Sequence, residues 1–140
     1  MNYSALPELT LPQMLREQAR TRPDAIAIRQ KDFGIWKPVR WTDYHRRASH
    51  FGLGLLALGL PAGGHLGIIS ENRIEWVLAQ MGAGLVGAVT VGVYPTSPSN
   101  ERAITTMGNW QSSPSPMVIH VENERYSFHV HMIRSSYLFE

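Results

Sequence analysis

Apolar residues recur at helical spacing in three stretches of this chain, and between them they cluster or alternate at strand spacing. Thr10-Leu11-Pro12-Gln13 has the form of a capping box with proline tolerated in the first turn, and Leu11, Met14, Leu15 and Ala19 then share one face. The pattern stops at Arg22-Pro23, because proline disfavours a helical residue before it. Ala25 to Arg29 reads as a short strand with Ile26 and Ile28 on one face. Lys31-Asp32-Phe33-Gly34 reads as a turn and Ile35 to Trp41 as the returning strand. Pro38 cannot donate to a ladder, so this strand lies at an edge or bends there.

Thr42 is the expected cap of a second helix, whose apolar stripe runs Tyr44, Ala48, Phe51, Leu55 and Leu58, with Gly59 as its end. After the loop Leu60 to Gly64, Leu66-Gly67-Ile68-Ile69 is an apolar run of strand length. Asn72 is the expected cap of a third helix with Ile74, Val77, Leu78, Met81 and Leu85 on its buried face. Ala88 to Val93 is a second β-branched run. A strand, a capped helix and a strand within thirty residues predict a βαβ unit with parallel strands, and hence an α/β layered fold.

Two stretches complicate that picture. Trp76 to Asn100 carries no charged residue and is long enough to raise a membrane-spanning helix. Four glycines, Gln80 and the change to β-branched valines argue instead for a buried helix running into a buried strand. Beyond Asn100 the composition breaks: Ala, Leu and Gly number 33 in the first hundred residues and three in the last forty. Residues 102–140 are therefore expected to be a divergent tail, from a frameshift or a truncated gene, poorly ordered and not completing the core. The rival reading is a hairpin, with Met117, Ile119 and Val121 alternating, a turn at Glu122-Asn123-Glu124, and Tyr126, Phe128, Val130 and Met132 alternating back. Such a tail could at best donate one hairpin, leaving apolar surface near Val77, Met81 and Leu85 exposed and favouring self-association.

Composition adds exclusions. The 140 residues hold 13 basic and 11 acidic side chains, and the arginines form no run, so nucleic-acid binding gains no support. With no cysteine, disulfides, thiolate zinc sites and cysteine nucleophiles are excluded. The N-terminus lacks a basic stretch followed by an apolar core, which leads us to expect a cytoplasmic chain without a secretory signal. Gly63-Gly64-His65-Leu66-Gly67 precedes its strand and so fails as a dinucleotide loop. Neither Lys31 nor Lys37 lies in a Gly/Ser/Thr-rich phosphate loop. His129 and His131 share one face of a strand, with His120 on a possible partner strand, but without a fourth ligand solvated histidines account for them better than a metal site. In open α/β sheets ligands sit beyond the carboxyl ends of the strands, here Ser70-Glu71-Asn72 and Tyr94-Pro95-Thr96-Ser97. Asn72 at a helix start could offer amides to an anion, although a plain cap explains it as well.

Several short stretches resemble the N-terminal region of AMP-forming acyl-CoA synthetases of the long-chain type. They are Thr10-Leu11-Pro12, Arg22 through Ile28, Trp41-Thr42-Asp43-Tyr44, Leu55 through Leu60, Ile69 through Trp76, and Gly87 through Ser97. The most specific combination is Glu71-Asn72-Arg73-x-Glu75-Trp76 followed some twenty residues later by Val93-Tyr94-Pro95-Thr96-Ser97. The resemblance covers about residues 9 to 101. Gly64-His65-Leu66 departs from it, where that family often has Gly-Asp-Arg, and beyond Glu101 it is expected to vanish.

The resemblance implies an N-terminal hairpin plus the βαβ unit of the synthetase large domain, incomplete in these residues. Residues 1–101 would be the N-terminal part of that domain. The full-length family uses ATP, magnesium and coenzyme A to activate a fatty acid, and some members are membrane-peripheral. Its phosphate loop, ribose-binding acids and catalytic lysine have no counterpart here. No catalytic, cofactor-binding or metal-binding residue is therefore assigned, and the chain is expected to be inactive alone. The alternative is a small independent α/β binding or interaction domain.

Overall fold

The computed structural model describes residues 9–93, 96, 117–121 and 128–132. The chain divides into two compact units, Met1–Arg46 and Arg47–Glu140. The expected turn at Glu122-Asn123-Glu124 and the loop residues Tyr94, Pro95 and Ser97 lie outside the described residues.

In the first unit, helix α1 spans Leu11–Thr21 and is closed at its start by the expected capping box. The Gln13 amide donates to Thr10 Oγ1 and the Thr10 amide to Gln13 Oε1, so two amides of the first turn are satisfied within four residues. Leu15 is the buried residue of its apolar face. Strands β1 (Ile26–Asp32) and β2 (Ile35–Arg40) pair antiparallel, with a bulge between Ile26 and Ile28. They run to the very ends of the hairpin, so the turn is the two-residue loop Phe33-Gly34, both at positive φ (46° and 82°). That is the combination a type I′ loop requires, and its twist matches the strands. Pro38 sits opposite Arg29 in this two-stranded sheet, where every strand is an edge.

Helix α2 spans Trp41–Ala57 and starts directly from β2. Thr42 is thus inside the first turn and is not the cap. The Trp41 and Thr42 amides donate instead to the carbonyls of Ala25 and Pro23, both at 3.1 Å, so the backbone entering β1 satisfies the donors a side-chain cap would have taken. Tyr44, Ala48 and Leu55 are buried as the stripe predicts, but Leu58 is 46% exposed. The reason is the helix terminus. Gly59 takes positive φ, its amide donates to Leu56 O, and the Leu60 amide donates to Leu55 O. This Schellman closure turns the chain so that Leu60, rather than Leu58, enters the core.

The second unit is built on a four-stranded sheet of order β4-β3-β5-β6, with β3 at His65–Ile69, β4 at Val89–Val93, β5 at Met117–Val121 and β6 at Phe128–Met132. Helix α3 (Ile74–Leu85) connects β3 to its parallel neighbour β4, which is the predicted βαβ unit. From Trp76 to Val93 the charge-free stretch is helix and then strand; among the described residues no helix is long and apolar enough to cross a membrane. The helix closes as α2 does, with Gly87 at positive φ and the Ala88 amide on Ala83 O. The Gly63 amide donates to Gly87 O and the Val89 amide to Gly64 O, so the glycine loop registers β3 against β4.

Two expectations are corrected here. The fully buried face of α3 is Ile74, Glu75, Leu78, Ala79, Gly82 and Ala83, while Val77, Met81 and Leu85 are half-buried. The helix turns its small residues inward because α2 crosses at backbone distance. A Cβ added at Gly82 would lie 2.6 Å from the Ala48 carbonyl oxygen, and one at Gly52 would lie 2.6 Å from the Gly82 carbonyl oxygen.

The second correction concerns the tail. Strand β5 is parallel to β3, Leu66 facing Met117 and Ile68 facing Ile119. Met117 and Ile119 are 1% and 0% exposed and join Leu55, Leu60, Leu66, Ile68, Ala79 and Ala83 in one cluster. Strand β5 thus joins the core, against the expectation that the tail would not, and β5 and β6 pair antiparallel as the two strands of the rival reading do. A strand buried on both sides needs a neighbour on each edge, and β5 supplies the one β3 would otherwise lack.

Candidate functional site

The carboxyl ends of three parallel strands, β3, β4 and β5, lie at one edge of the sheet, where α/β folds bind ligands. The turn after β3 is the best defined part of that edge. Ser70 is buried and its hydroxyl donates to the Glu71 carbonyl at 3.0 Å, while Glu71 and Asn72 are exposed. Asn72 does not cap the helix: Arg73 occupies the cap position in extended backbone, with no side-chain cap bond. Glu75, in the first turn, is 2% exposed, and its Oε2 lies 3.4 Å from Arg73 Nε.

That contact is an ion pair longer than a hydrogen bond, and Glu75 Oε2 accepts no hydrogen bond among the described residues. A carboxylate in the first turn meets the positive end of the helix dipole and an arginine two residues away. Negative charge already stands where an anion would have to bind, so this helix start is a poor anion site. Burial of Glu75 was not foreseen from sequence; its one signal was the arginine two positions before it.

Trp76, at the end of the first of the two most specific stretches, packs against β4. Its Cζ2 is 3.2 Å from the place a Cβ on Gly92 would occupy, so the indole lies against β4 where that strand has no side chain. Beyond β4, Thr96 is exposed.

The remaining candidates are dispersed. Both lysines sit on the β1–β2 hairpin, Lys37 paired with Asp32 and Lys31 Nζ at 6.0 Å from the Trp36 ring centre. A shallow groove on that hairpin is lined by Ile26, Arg29, Trp36 and Pro38. His65 opens β3, and its Nδ1 is buried without a hydrogen-bond partner among the described residues. Among the described residues no group of three His, Asp or Glu side chains could hold a metal. The histidines of the tail take defined register positions: His120 is opposite His129, and His131 opposite Val118.

Comparison with known proteins agrees with this geometry. The family model for AMP-binding enzymes matches residues 15–106. A long-chain-fatty-acid–CoA ligase of Xenopus laevis is 28% identical over 124 residues, which is 89% of this chain and 16% of that protein. A long-chain-fatty-acid–CoA ligase of Mycobacterium bovis is 33% identical over 88 residues, 63% of this chain and 15% of that protein. A Rhodopseudomonas palustris crystal structure bearing the name long-chain-fatty-acid CoA ligase superimposes with a TM-score of 0.61 at 28% identity, covering 69% of this chain and 24% of that one. This chain thus spans less than a quarter of the length of each. The Xenopus alignment is longer than the stretch before residue 102, so it extends past Glu101.

Proposed function

The chain belongs to the AMP-binding enzyme family, and on that premise we propose that it forms the opening part of an ATP-dependent, AMP-forming ligase domain that activates long-chain fatty acids. The observation that carries this reading is the β3-α3-β4 unit with Glu75 and Trp76 locked into its turn, inside the matched residues. In the complete domain, ATP, magnesium and coenzyme A would be held by residues outside these 140. Here the two lysines are committed to the β1–β2 hairpin, and no Gly/Ser/Thr-rich loop brings a lysine to the strand ends. We propose accordingly that the chain by itself does not adenylate, and that it acts in the cytoplasm or peripherally at a membrane. Pyrophosphate release from purified chain with ATP, magnesium and a fatty acid is expected to equal a heat-treated control; turnover above that control would overturn the reading.

A second reading has its own support. Strand β5 closes the core within the chain, which favours a small α/β domain that folds and binds independently of catalysis. The division at residue 101, with 102–140 as a divergent segment, remains a proposal resting on composition and on the end of the family match at 106. Reading the downstream nucleotide sequence in all three frames separates the two: a phosphate loop in another frame supports the ligase fragment, and its absence supports the independent domain.

A further inference from the structure

We propose that the outward face of the β1–β2 hairpin docks the chain on anionic lipid membranes, with the Phe33 tip entering the interface and Arg29 and Lys31 meeting lipid phosphates. Successive strand positions alternate between faces, and the antiparallel register sets Lys31 opposite Trp36 and Arg29 opposite Pro38. These four residues therefore share one face, where Ile26, Arg29, Trp36 and Pro38 line the shallow groove. All five are exposed, whereas Ile28, Gln30, Asp32 and Val39, at the alternate positions, are half-buried. The hairpin thus covers one face and leaves an aromatic, basic one in solvent.

Charge decides what this face can meet. It holds no carboxylate: Asp32, the acid of the two strands, stands at an alternate position and pairs with Lys37. Arg29 and Lys31 make no ion pair among the described residues, and Lys31 Nζ lies 6.0 Å from the Trp36 ring centre instead. A cationic surface with no acid to neutralise it is complementary to an anionic leaflet, which attracts each basic residue brought near it.

The apolar residues select a membrane over a soluble acidic partner. Phe33, Ile35 and Trp36 are 97%, 67% and 62% exposed, and they stand together at the loop end of the hairpin. A two-residue loop makes that end convex, so it suits insertion into a soft interface better than capture of a peptide side chain. An indole is at home at the headgroup level, with an apolar body and a polar N–H. Folding gives no reason for Phe33: at φ 46° the loop suits asparagine, and the ring is almost wholly in solvent. Buried apolar area and attraction to anionic lipid together set the strength of interfacial binding, and this hairpin end offers both. The surface is independent of the adenylation reading, since vesicle binding and pyrophosphate release are separate measurements.

The test sediments the full chain with and without vesicles, of phosphatidylcholine alone or with one-third phosphatidylserine. Binding to the phosphatidylserine vesicles is expected, roughly tenfold or more stronger than to phosphatidylcholine alone and falling as salt rises. R29Q/K31Q should weaken it roughly thirtyfold. F33N, which keeps a residue the loop accommodates and whose urea midpoint shows that it folds, should weaken it roughly tenfold. R16Q/R20Q removes the same charge from α1 and should bind as the parent does. Brominated lipid should quench tryptophan fluorescence in the parent and much less in W36F. No binding to phosphatidylserine vesicles, equal binding to both kinds, undiminished binding by F33N or R29Q/K31Q, or equal loss in R16Q/R20Q would each overturn the proposal. Binding to soluble polyglutamate in place of vesicles would assign the face to an acidic protein and overturn it too.

Discussion

Tyr44 shows how one position on a helical stripe acquires a measurable property. It is 5% exposed, and burial pushes its phenol up to about 12, because the phenolate would lose its hydration. The unfolded chain would ionise it near 10. Below that pH both states hold the proton and this stabilising contribution is complete; as pH rises from about 10 towards 12 only the unfolded state releases it, and stability falls. Phenolate absorbance during an alkaline titration should therefore show a late step that Y44F removes. If Y44F instead lowers only the ordinary step at about pH 10, Tyr44 is open to solvent. Phe33 is the opposite case, a bulky residue at φ 46° with 97% exposure. Its ring gains little from burial while its backbone is in a region that asparagine tolerates better. F33N is expected to raise stability by about 0.5–1 kcal/mol in urea unfolding, and a loss of that size would show that the ring makes a contact worth keeping. Only one of the two environments was legible beforehand. The stripe predicted that Tyr44 is inside, but Phe33-Gly34 was read only as part of a four-residue turn.

Element boundaries depend on which groups satisfy the free amides and carbonyls at helix ends, and local sequence shows only some of these. The capping box of α1 was legible because both partners lie within four residues. The caps assigned to Thr42 and Asn72 failed. The start of α2 is satisfied by the distant carbonyls of Pro23 and Ala25, and α3 starts one residue later, beside the Arg73–Glu75 pair. Both helices end in the same closure on Gly59 and Gly87, the first of which was expected. Glycines inside the helices divide sharply. A Cβ on Gly54 meets nothing within 4 Å, whereas one on Gly82 would strike Ala48 O at 2.6 Å and Gly52 N at 3.0 Å. G54A is thus expected to stabilise by roughly 0.5–1 kcal/mol. G82A should destabilise by about 1–3 kcal/mol or more, since two backbones must separate. Denaturant midpoints of the two variants check the pair; equal shifts in one direction would mean that α2 and α3 do not cross at these glycines.

At the scale of the whole molecule, the βαβ unit was legible because its strand, helix and strand are contiguous. The sheet order was not. Strand β5 inserts beside β3 from about fifty residues further along the chain, and five alternating residues carry no mark of their partner. Composition even pointed the other way, since the tail is poor in leucine and alanine; yet Met117 and Ile119 are among the largest fully buried side chains. Truncating Ile119 to alanine should cost about 2–5 kcal/mol, comparable to a core isoleucine anywhere else in the sheet. The candidate edge was readable only in part: the Glu71-to-Trp76 stretch marked it, but the burial of Glu75 and the seat of Trp76 on Gly92 depend on packing. The place of Met117 and Ile119 in the core requires β5 to be a permanent member of the sheet. Amide hydrogen exchange measures this directly by comparing Met117–Val121 with Leu66–Ile69. The paired strands should be protected to the same extent and exchange only when the unit opens as a whole. Free exchange at Met117–Val121 beside protected amides at Leu66–Ile69 would contradict the account.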